Sequence, residues 1–318
     1  MKDIAIGIDI GGTFTKYGIV DRNGNCLFEG CASTTSTTEA VDFVSSLSKT
    51  LKEELARFPD TKLKGIGIGA PNGNYYKGTI EFAPNLKWKG VVPMVDLFKK
   101  HFDIPVVLTN DANAAAIGEM VYGGAKNMRD FIVITLGTGL GSGIVSNGQL
   151  IYGHDGFAGE IGHTIVRHNG RQCGCGRKGC LETYVSATGI KRTIYKFLAD
   201  SLDDSQLRSV SFNELSADMI SEAAKRGDKI AIDAFEYTGS LLGQKLADSV
   251  AHTSPEAIFL FGGLAKAGDF ILEPTQRHLE MNLLSIYKNK VKVLLSGMAE
   301  LNAAVMGAGA LAWKEIEK

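Results

Sequence analysis

No apolar run in this sequence approaches the ~20 residues that cross a bilayer. The first residues, Met1-Lys2-Asp3-Ile4, lead into no signal-peptide core, because Asp9 and nearby glycines interrupt the apolar stretch. No membrane partner is expected, and the expected compartment is the reducing cytoplasm. Charge of one sign is also lacking: the formal net charge is −1. Without a basic face, no nucleic-acid partner is expected. There is no Ser/Pro/Gly linker and no low-complexity tract. A chain of 318 residues buries enough surface to hold a core without disulfides. Its five cysteines therefore read as free thiols or metal ligands.

Glycine is abundant: 38 residues, about one and a half times average usage. The glycines are clustered, which marks close backbone approach or turns with positive φ. The length suggests two domains. Ile4–Ile10, Lys16–Val20 and Cys26–Gly30 read as strands, with an Asn23-Gly24 turn before the third. Glu39–Phe58 has helical spacing at Val41, Val44, Leu47, Leu51 and Leu55. A strand is expected over Lys64–Gly69, a helix over Val91–His101, a strand over Val106–Leu108 and a helix opening near Asn110. The plan then recurs, with a strand at Phe131–Leu136, a returning strand at Gly143–Ser146 and an Asn147-Gly148 turn. Gly11 and Gly137 are 126 residues apart and the two Asn-Gly turns 124 apart, the signature of an internal duplication. Ile258–Phe261 reads as a strand, Ala299–Ile316 as a helix of small residues suited to close packing, and Asp200–Ser211 as a polar mobile loop.

Both repeats carry a glycine loop at a strand end: Gly11-Gly12-Thr13 and Gly137-Thr138-Gly139. Backbone N–H groups at such a tip can converge on phosphate, and Thr13 adds a hydroxyl donor. Taken singly, either could be a plain tight hairpin; two at matching positions favour the ligand. Neither fits the Walker or Rossmann pattern. Asp9 could hold Mg²⁺, through water, or be a solvated strand-end carboxylate.

Cys173, Cys175 and Cys180 put three thiols within eight residues, and His163 lies ten positions earlier. Three cysteines and one histidine form a closed tetrahedral zinc set, favoured here over free thiols or a disulfide, and structural in kind. Glu160 and Glu182 bracket the cluster and could equally be solvated surface groups. Cys26 and Cys31 read as buried small hydrophobes. Asp111 follows an apolar strand and precedes a helix. It is either a helix N-cap or a carboxylate at a strand's carboxyl end, where it could serve as a general base.

Together these pieces resemble the ROK family of bacterial sugar kinases, over nearly the whole chain. The resemblance rests on Asp9-Ile-Gly-Gly-Thr13, Ala83-Pro-Asn-Leu-Lys-Trp88, Asn110-Asp-Ala-Asn-Ala-Ala115, Leu136-Gly-Thr-Gly-Leu-Gly141, Gly159-Glu-Ile-Gly-His163 and Cys173-Gly-Cys-Gly-Arg-Lys-Gly-Cys-Leu-Glu182. It implies an α/β, duplicated ribonuclease-H-like fold of the actin/Hsp70/hexokinase type, with two domains around a cleft. The expected domains are 1–118 plus 299–318, and 119–298. It implies ATP-dependent phosphorylation of a hexose, most simply glucose at its 6-hydroxyl. Other sugars held by the same polar set remain alternatives: N-acetylglucosamine, N-acetylmannosamine, fructose or allose. Asp111 would be the base; Asn85, Asn110, Asp111, Glu160, His163 and Glu182 would hold the sugar. Asp9, Gly11, Gly12, Thr13, Gly137, Thr138 and Gly139 would hold Mg-ATP phosphates, and Gly262-Gly263 would border adenosine. His163, Cys173, Cys175 and Cys180 would bind structural Zn²⁺. A homodimer or higher homo-oligomer is implied.

The turn Pro71-Asn72-Gly73 departs from the family's usual Pro-Gly, and Asn72 is expected to keep it by adopting left-handed φ. The loop Asn72–Lys77 is a candidate for sugar selectivity. A sugar-sensing repressor would need a helix-turn-helix before Ile4, and a partner-binding ATPase would not need Glu160, His163 and the thiols.

Overall fold

The computed structural model describes residues 1–298 and 303–317. The chain forms two compact units: Met1–Met128, Leu150–Ala158 and Gly297–Lys318 in the first, and Arg129–Gln149 and Gly159–Ser296 in the second. The expected boundary at 118 lies inside a helix that continues to Val121. The boundary expected at 299, and the start of the helix expected over 299–316, lie outside the described residues.

The first unit opens with β1 (Lys2–Ile10), β2 (Phe14–Asp21) and β3 (Cys26–Ser33), an antiparallel meander. Helix α1 (Ala40–Leu55) follows, burying Phe43, Val44, Leu47 and Leu51 on one stripe against the isoleucines of β1. Next come β4 (Thr61–Ala70), the short β5 (Gly73–Asn74), β6 (Thr79–Glu81) and β7 (Val91–Val92), then α2 (Met94–Lys99), β8 (Val106–Asn110) and α3 (Asp111–Val121). The main sheet runs β3-β2-β1-β4-β8, and β5-β6-β7 forms a small second one. The helix expected over Val91–His101 is shorter: Val91 and Val92 pair with β6, and the helix starts after Pro93. The branched valines favour a ladder, and proline, lacking an N–H, sits readily just before a first turn. Asn72 does take a left-handed conformation, at φ 50°.

The second unit contains β9 (Phe131–Leu136), β10 (Leu140–Ser146), β11 (Gln149–Leu150), α4 (Ala187–Asp200), α5 (Ala217–Lys225), α6 (Lys229–Thr253), β12 (Ala257–Phe261), α7 (Asp269–Asn282) and β13 (Lys292–Leu295). Its sheet order, β11-β10-β9-β12-β13, repeats that of the first unit. In both sheets the antiparallel hairpin strands are followed by two strands parallel to the first. The duplication read from glycine spacing is therefore a duplication of topology. Ser186, Ser216 and Asp228 cap α4, α5 and α6 with their side-chain oxygens. The segment expected to be a mobile loop holds a short 3-10 turn, Gln206–Ser209. Arg208 folds it, donating to the carbonyls of Leu198, Ser201 and Asp203.

The chain returns to the first unit with α8 (Ala303–Ile316). This helix lies directly on the sheet backbone. A Cβ at Gly7 or Gly67 would overlap the carbonyls of Val305 or Ala308, so glycine in the strands and small residues in the helix are one requirement. Cys26 is half-buried and Cys31 exposed, not buried as expected, because β3 is the sheet's edge and is only partly covered. Among the described residues no helix is long and apolar enough to cross a membrane.

Candidate active site

In the first unit, three parallel strands end side by side. The register pairs Asp9 of β1 with Gly69 of β4, and Ala70 of β4 with Asn110 of β8. Asp9 and Asp111 thus emerge at carboxyl ends on either side of β4, the usual place for chemistry in α/β sheets. Gly69 separates them: a Cβ there would lie 3.7 Å from Asp9 Oδ1 and 3.6 Å from the Asp111 Cα. The N-cap of α3 is Asn110, whose side chain accepts the Ala112 N–H at 2.9 Å. Asp111 Oδ1 accepts the same N–H at 2.8 Å. Asn110 and Asp111 thus share the first free N–H of α3, which leaves Asp111 Oδ2 for another role.

Both carboxyls hold protons more tightly than usual. Desolvation by the surrounding protein raises Asp111, against hydrogen bonds from backbone N–H groups. Asp9 is pushed up to about 7, first by burial and then by the negative Asp111, with Lys16 opposing. Such a pair is chemically suited to a divalent cation. The same shift has a stability consequence. An unfolded Asp releases its proton near 3.8 and the folded Asp9 near 7. The folded state therefore binds more protons between those values, and stability falls as pH rises across that window. In nucleotide-free and magnesium-free protein, Asp9→Asn is expected to match wild type near pH 4 and to melt higher above pH 7. Thermal melts across pH check this; parallel curves would refute the assignment.

The first glycine loop is a tight hairpin in which the Gly11 N–H donates to the Phe14 carbonyl at 3.0 Å. A Cβ at Gly12 would lie 2.7 Å from the Asn85 carbonyl oxygen, so the loop and the Ala83–Trp88 segment are in contact. Ala83, Leu86 and Trp88 anchor that segment in the core, Trp88 against Phe43 at 5.0 Å. Asn85 and Thr13 are left exposed. The proposed selectivity loop is largely engaged inside the first unit. Asn74 is fully buried and donates to the Asp155 carbonyl at 2.9 Å, and Tyr75 stacks on Tyr152 at 4.1 Å. These contacts fasten residues 150–158 to the first unit.

In the second unit, the loop between β9 and β10 is closed by Gly137 N–H donating to the Gly139 carbonyl at 3.0 Å. The Gly137 position faces open space. Gly262, at φ +103°, is pressed against Leu136: a Cβ would lie 2.8 Å from its carbonyl oxygen. The parallel register Phe261 to Thr135 sets Gly262-Gly263 beside this loop. Glu182 reaches the loop from beyond the cysteines, its Oε2 accepting the Leu140 N–H at 3.0 Å.

His163, Cys173, Cys175 and Cys180 converge, their donor atoms all within 4.8 Å of one another. Cys175 and Cys180 Sγ are 3.6 Å apart, and Cys173 Sγ lies 3.7 Å from His163 Nδ1. A zinc tetrahedron built on standard bond lengths has edges of about 3.6–3.8 Å, so these spacings fit the ion. The other imidazole nitrogen, Nε2, faces Glu160 Oε2 at 3.9 Å. Burial pushes the Cys173 thiol up to about 12 and also raises Cys180. Burial would raise Cys175 too, but hydrogen bonds from Arg177 and the neighbouring thiols bring it down to about 6. Burial makes Cys173 and Cys180 resist ionisation, and a bound cation would offset that resistance. Positive φ at Gly176 and Gly179 lets the loop turn inward, and a Cβ at Gly179 would overlap the Arg167 carbonyl.

Sequence reasoning missed Arg171. Its guanidinium lies over the Tyr184 ring at 4.4 Å and donates to the Thr183 and Gly189 carbonyls and to Thr193. It ties the cysteine loop to α4, and no local pattern marks it.

The sequence matches the ROK family over residues 5–315. It is 35% identical to a glucokinase of Streptomyces coelicolor, covering 97% of this chain and 97% of that protein. It is 33% identical to a glucokinase of Halalkalibacterium halodurans, covering 96% and 93% respectively. Its fold superposes with a TM-score of 0.83 on a ROK family glucokinase of Streptomyces griseus solved with glucose and AMPPNP. That match is 33% identical and covers 98% of this chain and 99% of the other.

Proposed function

Because this chain belongs to the ROK family, we propose that it is an ATP-dependent hexose kinase that converts glucose to glucose 6-phosphate. The observation that carries the reading is Asp111 itself. It stands at a strand's carboxyl end near Asp9, sharing the helix cap with Asn110 through Oδ1 alone, with its proton affinity raised. That is the equipment of a general base. Asp111 takes the proton of the attacking hydroxyl, and Asn85, Asn110, Glu160, His163 and Glu182 hold the remaining hydroxyls. The glycine loops at Gly11–Thr13 and Gly137–Gly139 hold the ATP phosphates, with adenosine at Gly262-Gly263. Positioning and charge neutralisation supply most of the acceleration in phosphoryl transfer.

Two metals belong to this reading. Mg²⁺ near Asp9, held through water, neutralises phosphate charge. Zn²⁺ held by His163 and the three thiols orders the 160–182 region. His163, facing Cys173 through Nδ1, keeps Nε2 for a polar partner. An assembly of two or more copies is part of the same proposal.

The test is ADP release with Mg-ATP across glucose, both N-acetylhexosamines, fructose, mannose and allose. Turnover with glucose well above the others is expected. Dominance of an N-acetyl sugar would keep the mechanism and overturn the substrate. No turnover with any sugar, from folded metal-loaded protein, would overturn the kinase reading.

A further inference from the structure

Glu182 is engaged on both sides within the second unit. Its Oε2 accepts the Leu140 N–H at 3.0 Å, at the point where the second glycine loop enters β10. Its Oε1 lies 3.6 Å from Cys173 Sγ, which donates to it as a thiol and no longer does once ionised onto a metal. The contact with the loop is close-packed, since a Cβ at Gly139 would overlap Glu182 Oε2. Glu182 sits in the 3-10 turn Leu181–Thr183, and Cys180, fully buried, is the residue on which that turn begins. Whatever fixes Cys180 therefore fixes the start of the turn that aims Glu182 at the loop. From the other side, the Leu140 N–H is used by a carboxylate rather than left to a ligand. The loop's shape then depends on that carboxylate being in place.

We propose that Glu182 is a positioning residue for the Gly137–Gly139 loop, through which the His/Cys cluster sets that loop's affinity for nucleotide. This rests on the kinase reading, and it assigns Glu182 a role separate from holding a sugar. A backbone N–H bonded to a charged carboxylate is among the stronger hydrogen bonds, and its loss reaches the nucleotide through loop geometry.

The measurement is calorimetric titration with Mg-ADP and no sugar present, alongside metal content and thermal melts. Glu182→Ala is expected to weaken Mg-ADP binding by about tenfold. Glu182→Gln keeps a carbonyl acceptor for the Leu140 N–H and is expected to retain most of the affinity. Stripping the metal from wild type is expected to weaken Mg-ADP binding similarly, with zinc restoring it. In Glu182→Ala the same stripping is expected to add little, the coupling that a shared route requires. Should Glu182→Ala fail to fold, the Gln variant and the stripping arm decide. Wild-type Mg-ADP affinity in Glu182→Ala, or in stripped wild type, overturns the proposal. A wild-type protein that binds no Mg-ADP defeats the kinase reading itself, and this proposal with it.

Discussion

Asp111→Asn is expected to lower kcat with glucose by ~10²–10⁴, the range for losing a general base. The substitution is nearly isosteric, and the Oδ1 that accepts the Ala112 N–H remains available as an amide oxygen. Folding should therefore survive. The sign of the stability change follows from the raised pKa: a folded carboxyl that ionises reluctantly destabilises the native state once pH passes its unfolded value. At neutral pH the Asn variant should melt at or above wild type. Steady-state kinetics paired with thermal melts separate loss of chemistry from loss of structure. Near-wild-type turnover in a folded Asp111→Asn protein would remove Asp111 from the mechanism. A parallel Asn110→Ala variant should instead lose stability, by less than the ~1 kcal/mol of a whole cap because Asp111 Oδ1 still accepts the Ala112 N–H.

The second large effect concerns the thiol cluster. Purified protein is expected to carry about one zinc per chain, and Cys180→Ser to lose it. Cys180 is fully buried, so a serine hydroxyl there has neither the metal nor solvent to satisfy it. Structural zinc contributes ~10–16 kcal/mol in isolated peptides; here it orders one loop on a standing core, so the loss is smaller. In a chain of this size each kcal/mol moves the midpoint by about 2–4 °C, and a fall of roughly 5 °C or more is expected. Chelation of wild type should give the same fall, reversed by zinc. Absence of bound metal, with no change in midpoint on Cys180→Ser, would return the cluster to plain thiols.

The sequence carried the local features well. Strands β1, β2, β9 and β12, the two glycine loops and the cysteine loop follow from patterns a few residues long. The helix expected over Val91–His101 is longer than α2 because Val91 and Val92 are claimed by a ladder with β6, ten to twelve residues upstream. Cys31 was misplaced because burial depends on whether a strand is central or at an edge, which strand composition does not encode.

The site divides the same way. That Asp9, Asp111, His163 and the three cysteines were worth singling out was determined by the sequence: residue type and spacing are local, and so is the chemistry they announce. How each one is placed was decided only by the tertiary structure. The N-cap position fell to Asn110, with Asp111 accepting the same N–H, and Asp9 and Asp111 come near each other because parallel registers align strands from distant parts of the chain. Glu182 reaches a loop 42 residues away, and Asn74 holds Asp155 across 81. Contacts of that span leave no trace in local periodicity. They are set by how whole elements pack, and the proton affinities of buried carboxyls and thiols are set by the same packing.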